Sequence, residues 1–177
     1  MLVAVAAKKD SPLASLNFLF VPDARPVLSL AARQAQLEGG IEFVPGTDVS
    51  PQPHLTIAAQ ISGEPPPTTQ SPTSSHALFR FSVREPGFYR FRLWCYWPTF
   101  QSAGLDLFLD GSVLKKVVGR GDPVYQKWHW LAVDVAADLG AGEHTLALTG
   151  WKPGAGLGSI EVFPAGGTQT TSIPGPS

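Results

Sequence analysis

Residues 86 to 97 read Pro-Gly-Phe-Tyr-Arg-Phe-Arg-Leu-Trp-Cys-Tyr-Trp. Tyr89, Phe91, Leu93 and Cys95 fall on one side of a two-residue repeat, and Arg90, Arg92, Trp94 and Tyr96 on the other. Only an extended strand separates these sets, because successive side chains then point to opposite faces. Glu85-Pro86-Gly87 is the turn before it, and Phe79, Phe81 and Val83 alternate with Arg80, Ser82 and Arg84 on the strand before that. Downstream, Leu105, Leu107 and Leu109 alternate with Asp106 and Phe108 ahead of an Asp110-Gly111 hairpin turn. Segments 113–118, 128–135, 144–149 and 157–163 continue the series, and 27–32, 40–44 and 55–61 are earlier candidates. Turn-signal spacing predicts about eight to ten strands.

Composition supports an all-β chain. Gly (18) and Pro (17) of 177 residues leave little room for long helices. Hydrophobic residues at 44% supply a core, while charged residues are only 15%. A net charge of −1 argues against nucleic acid as a partner. Cys95 is the one cysteine, which excludes an internal disulfide and a multi-cysteine metal site. No apolar run reaches the length of a membrane span. The fold predicted from this pattern is an all-β sandwich or barrel over residues 24–164. An N-terminal arm (1–23) precedes it and a Pro/Gly-rich tail (165–177) follows. Residues 65–75 read as a surface loop. The N-terminal apolar run precedes its positive charges, the reverse of a secretory signal. Either the chain is not exported by that route or the sequence begins after processing.

The segment order resembles family 6 and family 35 carbohydrate-binding modules, which are galactose-binding-like jelly rolls. Residues 86–97 resemble their G-x-Y-x-x-x-x-R/W strand. Leu105 to Gly111 resembles the next strand and its hairpin, and 128–151 the W-x-W … L-x-x-G-x-H-T-L-x-L block. Gln34 to Gly40 resembles the opening segment, and Gly158 to Phe163 the closing strand. The resemblance implies two antiparallel sheets packed face to face, a jelly-roll β-sandwich, and a non-catalytic module with a glycan partner. It departs from the family where a structural calcium and a sugar contact are usual. Ala31, Ala32, Arg33 and Gln34 offer no acid, Gly158 stands where an Asp is usual, and Gly156 where an Asn is usual. Calcium wants several charged oxygens, so no metal or cofactor is expected at that position.

Strand phase adds a separate reading. Core positions Leu131, Val133 and Val135 put Trp128 and Trp130 on the opposite face, beside Asp134. Inward Leu146 and Leu148 put Trp151 on the opposite face as well. Trp94, Tyr96, Trp128, Trp130 and Trp151 are therefore candidate ligand-binding residues. An exposed aromatic face usually marks a binding surface, and flat rings beside charged groups suit a pyranose. Three placements stay open: a ligand platform, a subunit interface, or burial. Burial would follow from a phase-reversing bulge or from cover by the arm with Leu13, Leu16, Phe18 and Phe20.

Arg120-Gly121-Asp122, within GRGDP, resembles an integrin-recognised adhesion loop, although these are ordinary turn residues too. His54, His76, His129 and His144 show no metal-ligand spacing to another His, Cys or acid. His129, between two tryptophans, reads as a packing residue. Nucleophile elbows and phosphate loops are absent, which argues against an enzyme. Two functions follow. One is a carbohydrate-binding-module-like protein for binding, adhesion or surface assembly. The other is a structural subunit of a filament, virion or surface layer with no sugar ligand, joined to copies of itself or to other structural subunits through residues 1–23 and the aromatic face. Both place the protein outside the cell or on a surface.

Overall fold

The structure is a computed structural model, and it describes residues 25–47, 51–57 and 75–165. The arm at 1–23, with Leu13, Leu16, Phe18 and Phe20, lies outside the described residues. So do nearly all of the tail and of the 65–75 loop.

Twelve strands lie among the described residues: β1 (Leu28–Ala31), β2 (Gln36–Glu38), β3 (Ile41–Val44), β4 (His54–Ile57), β5 (His76–Val83), β6 (Gly87–Tyr96), β7 (Leu105–Leu109), β8 (Ser112–Val118), β9 (His129–Ala132), β10 (Ala137–Leu139), β11 (Gly142–Thr149) and β12 (Gly156–Pro164). A seven-stranded sheet runs β10-β6-β12-β4-β3, with β1 added to β12 and β9 to β6. A five-stranded sheet runs β2-β5-β11-β7-β8. Every pairing is antiparallel. This is the expected two-sheet β-sandwich.

The extra strands are short. The two that pattern reading missed, β2 and β10, have three residues each, too few to display an alternation. The segment expected as one strand over 128–135 is a strand only over His129–Ala132, and β10 begins beyond it. β9 and β10 lie in succession along the same edge of β6, at Arg92–Cys95 and Gly87–Tyr89.

The core fills the space between the sheets. Tyr89, Phe91, Leu93 and Cys95 of β6 face Phe79, Phe81, Leu107, Leu146 and Leu148 from the other sheet, and all are buried. Burying such side chains contributes about 1.5–3 kcal/mol each against leaving them in water. Asp110 and Gly111 both take positive φ, 48° and 79°, as a type I′ hairpin between β7 and β8 requires.

One irregularity positions the aromatic face. The register of β12 on β6 slips between Leu157 and Ser159, so Gly158 is an extra residue opposite the Trp94–Cys95 step. This bulge lets Leu157 and Ile160, three positions apart, both point inward. It lies in β12, not in β6 or β9, so the outward phase of their tryptophans is kept.

Candidate functional site

Three of the five tryptophans stand on the outer face of the seven-stranded sheet. Trp94 on β6 is directly across from Trp130 on β9, and Tyr96 lies two residues along β6. The Trp94 and Trp130 rings are 5.2 Å apart at 52°. Trp128, just before β9, lies 6.3 Å from Trp94 at 18°, and Tyr96 is 5.7 Å from Trp128. Trp130 is 38% exposed, while Trp94, Tyr96 and Trp128 are half-buried by one another. The phase reading brought four of its five residues together here.

Trp151 is corrected. It is 3% exposed, belongs to the core, and its indole Nε1 donates to the Leu148 carbonyl at 3.2 Å. β11 ends at Thr149, and Gly150 at φ 74° turns the chain. The alternation that placed Trp151 outward therefore stops before reaching it.

The rings lie close against β12. A Cβ at Gly156 would sit 2.9 Å from Trp128 Cη2, and one at Gly158 would sit 2.7 Å from Trp94 Cδ1. Gly156 and Gly158, which the resemblance matches to an Asn and an Asp, have indole rings above them. Sequence alone reads those glycines as lost contacts; in the fold they are the space the rings need.

Charged and polar groups border the rings. The Arg92 guanidinium lies 4.3 Å from the Trp130 centroid and 4.8 Å from that of Phe163. Glu161, its partner across β6 and β12, accepts from Arg92 Nε at 2.5 Å. At the other end His54 meets Trp128 edge-on at 5.2 Å, and Gln52 reaches over Gly158. Sequence reading missed Glu161, His54 and Gln52. Alternation in β12 and β4 puts the first two outward, but only the register brings them beside the tryptophans.

The Arg120-Gly121-Asp122 loop is also corrected. Asp122 is 8% exposed and turned inward. Its Oδ2 accepts from Trp97 Nε1 at 2.9 Å and lies 2.6 Å from His129 Nε2, while its Oδ1 accepts from the Val124 amide at 3.0 Å. An adhesive loop must offer this carboxylate to a receptor-held metal, and here it is bound inside the protein.

Three histidines pair with acids, against the expectation from spacing. His129 pairs with Asp122, His144 Nδ1 lies 2.7 Å from Asp110 Oδ2, and His76 Nε2 lies 3.5 Å from Glu38. His144 and Asp110 are 34 residues apart, so a search for close spacing misses them. The hydrogen bond to Asp110, then the Gly140 carbonyl, holds His144 above the usual imidazole range. Burial would raise Asp110, but hydrogen bonds from His144 and the Thr145 amide outweigh it and hold the carboxyl low.

Cys95, the one cysteine, is buried beside this loop, with Sγ 3.9 Å from His129 Nε2. Burial first, and the Asp122 charge second, push its thiol far up. The Cys, His and Asp are not arranged as a nucleophilic triad. Such a triad needs one imidazole nitrogen on the thiol and the other on the carboxylate. Here Nε2 meets both, and Nδ1 lies 3.0 Å from the Lys127 carbonyl.

A groove at the loop end is lined by Phe100, Gln101, Asp106, Arg120 and Lys152, with Phe100 66% exposed. No helix among the described residues is long and apolar enough to cross a membrane.

No family model matches the chain, and no curated protein matches it. Its likeness is to solved structures. A family 35 carbohydrate-binding module from Clostridium thermocellum matches with TM-score 0.56 and 13% identity, over 80% of this chain and 100% of that one. The family 6 module of Cellvibrio mixtus lichenase 5A, solved with cellotriose, matches with TM-score 0.53 and 12% identity, over 80% and 100%. The GH26-CBM35 β-(1,4)-mannanase of Podospora anserina matches with TM-score 0.56 and 15% identity, over 79% of this chain but 28% of the mannanase. The chain has the jelly-roll fold of carbohydrate-binding modules.

Proposed function

We propose that this protein is a non-catalytic glycan-binding module, acting on a surface or outside the cell. The observation that carries the reading is the row of Trp94, Trp128, Trp130 and Tyr96 across β6 and β9. A pyranose has an apolar face that stacks on an aromatic ring and hydroxyls at its edge that want hydrogen bonds. Trp130 is the most exposed of the four rings, with Arg92 against it. Glu161 and Arg92 at one end, and Gln52 and His54 at the other, have the polar atoms for hydroxyls. The shared fold with sugar-binding modules supports the reading. With Gly156 at the position the resemblance matches to a sugar-binding Asn, and Trp128 over it, the sugar is met here by stacking in place of that hydrogen bond.

The test is a glycan array with the purified protein, followed by titration of the best ligand against tryptophan fluorescence. Trp130→Ala should weaken binding at least about tenfold, or 1.4 kcal/mol. Phe100→Ala, in the loop-end groove, should leave binding unchanged. The reverse pattern would move the site to the loop end. No binding to any glycan, with an oligomer in solution, would favour the structural-subunit reading, with the aromatic face as an interface.

A further inference from the structure

The carboxylate, imidazole and thiol that meet behind the aromatic face have a use of their own. Cys95 Sγ, Asp122 Oδ2 and His129 Nε2 lie within 4.8 Å of one another. They come from the end of β6, the β8–β9 loop and the start of β9. Three ligand types, drawn from separate segments, share one point. We propose that this is a binding site for a borderline-soft divalent cation of the zinc class. Cys95, Asp122 and His129 are its ligands, and the fourth position is left to water. The proposal does not depend on glycan binding.

The three donor atoms already face one another, a small rearrangement away from ligating a shared ion. Sγ and Oδ2 both approach the same imidazole nitrogen, so all three donor atoms are aimed into one small region. The other atoms are already oriented by outer partners. His129 Nδ1 donates to the Lys127 carbonyl, and Asp122 Oδ1 accepts from the Val124 amide. Metal-binding histidines and carboxylates are usually held this way. Zinc bonds of about 2.0–2.3 Å in a tetrahedron put ligand atoms roughly 3.3–3.7 Å apart. The 3.9 Å between Sγ and Nε2 is within a few tenths of that. The 2.6 Å between Nε2 and Oδ2 must open by under about 1 Å, as the cation replaces the hydrogen between them. Trp97 Nε1 keeps its hydrogen bond to Oδ2, which has a second lone pair for the ion. Thiolate and imidazole ligands select zinc or cobalt over the calcium of related modules.

The consequence is mechanical. His129 lies between Trp128 and Trp130, with its ring turned inward as theirs turn out. An ion here would clamp the β8–β9 loop to β6 and hold the strand that carries both tryptophans.

The experiment uses the whole chain, stripped with a chelator and titrated with Co(II), then Zn(II). Because Cys95 is the one cysteine, a thiolate-to-cobalt charge-transfer band can come from this site alone. The expected result is that band, with tetrahedral d–d absorption, saturating at one equivalent and bleached by zinc. His129→Gln and Cys95→Ser should each weaken zinc binding at least about a hundredfold. Circular dichroism checks that both variants fold. A wild-type readout keeps the test sound if they do not: zinc should slow alkylation of Cys95 in mild urea. No charge-transfer band, or alkylation unaffected by zinc, would overturn the proposal.

Discussion

At the scale of single residues, the glycines of β12 and Asp122 are where local chemistry sets the outcome. Neither Gly156 nor Gly158 needs unusual backbone freedom; each is required by the indole above it. Gly158→Ala puts a methyl 2.7 Å from Trp94 Cδ1 and 3.0 Å from Gln52 Nε2, with a rigid ring on one side. It should destabilise the protein by about 1–3 kcal/mol, read as a lower urea midpoint, and weaken any glycan that stacks there. A midpoint equal to wild type would mean that the rings slide without cost. Asp122→Ala removes the acceptor of the buried Trp97 indole and the partner of His129. Leaving such a donor unpaired should cost about 1–3 kcal/mol, whether or not the protein binds an adhesion receptor.

Between elements, the pair of His144 on β11 and Asp110 in the β7–β8 hairpin ties two strands together. His144 is raised in the folded state, so its contribution is fully present below its unfolded value of 6.5 and is lost as pH rises through the raised value. Asp110 is lowered, so its contribution is present above 3.8 and is lost as pH falls through the lowered value. The pair therefore stabilises the hairpin most between those ranges. Asp110 is 47% exposed, so water screens the pair and the effect should stay below about 1 kcal/mol. Urea midpoints of wild type and His144→Gln should differ more at about pH 5.5 than at about pH 9. Equal differences would mean that the imidazole does not titrate in the pair. The β12 bulge acts at this scale too. By taking up one extra residue opposite Trp94, it keeps Leu157 and Ile160 in the core and leaves Glu161 outward beside Arg92.

For the whole molecule, the two sheets enclose one core, and the larger sheet carries the aromatic row on its outer face. The glycan-binding reading expects a monomer by light scattering, both for the full chain and for a version starting at Asp23. An oligomer that dissociates when residues 1–22 are removed would instead make the arm an assembly device. Core truncation serves as the stability reference. Leu148→Ala, at a fully buried position, should cost about 2–5 kcal/mol, read as a lower urea midpoint.

The alternation of residues 78–97 was enough to determine two strands of an all-β chain and to place Trp94 and Tyr96 outside its core, because a two-residue period reports local backbone geometry; that the strands form two sheets rather than a barrel is decided by their pairing. It carried Trp128 and Trp130 to the same face for the same reason. It failed at Trp151, where Gly150 ends the strand and resets the phase, a change that depends on where pairing stops. Tertiary structure alone decided the inward turn of Asp122, its meeting with Cys95 and His129, the His144–Asp110 pair, and the nesting of indoles over Gly156 and Gly158. These contacts join segments up to 64 positions apart, such as Trp94 and Gly158. Which residues meet at that range is set by strand register and sheet order, and neither is written in the spacing of the residues themselves.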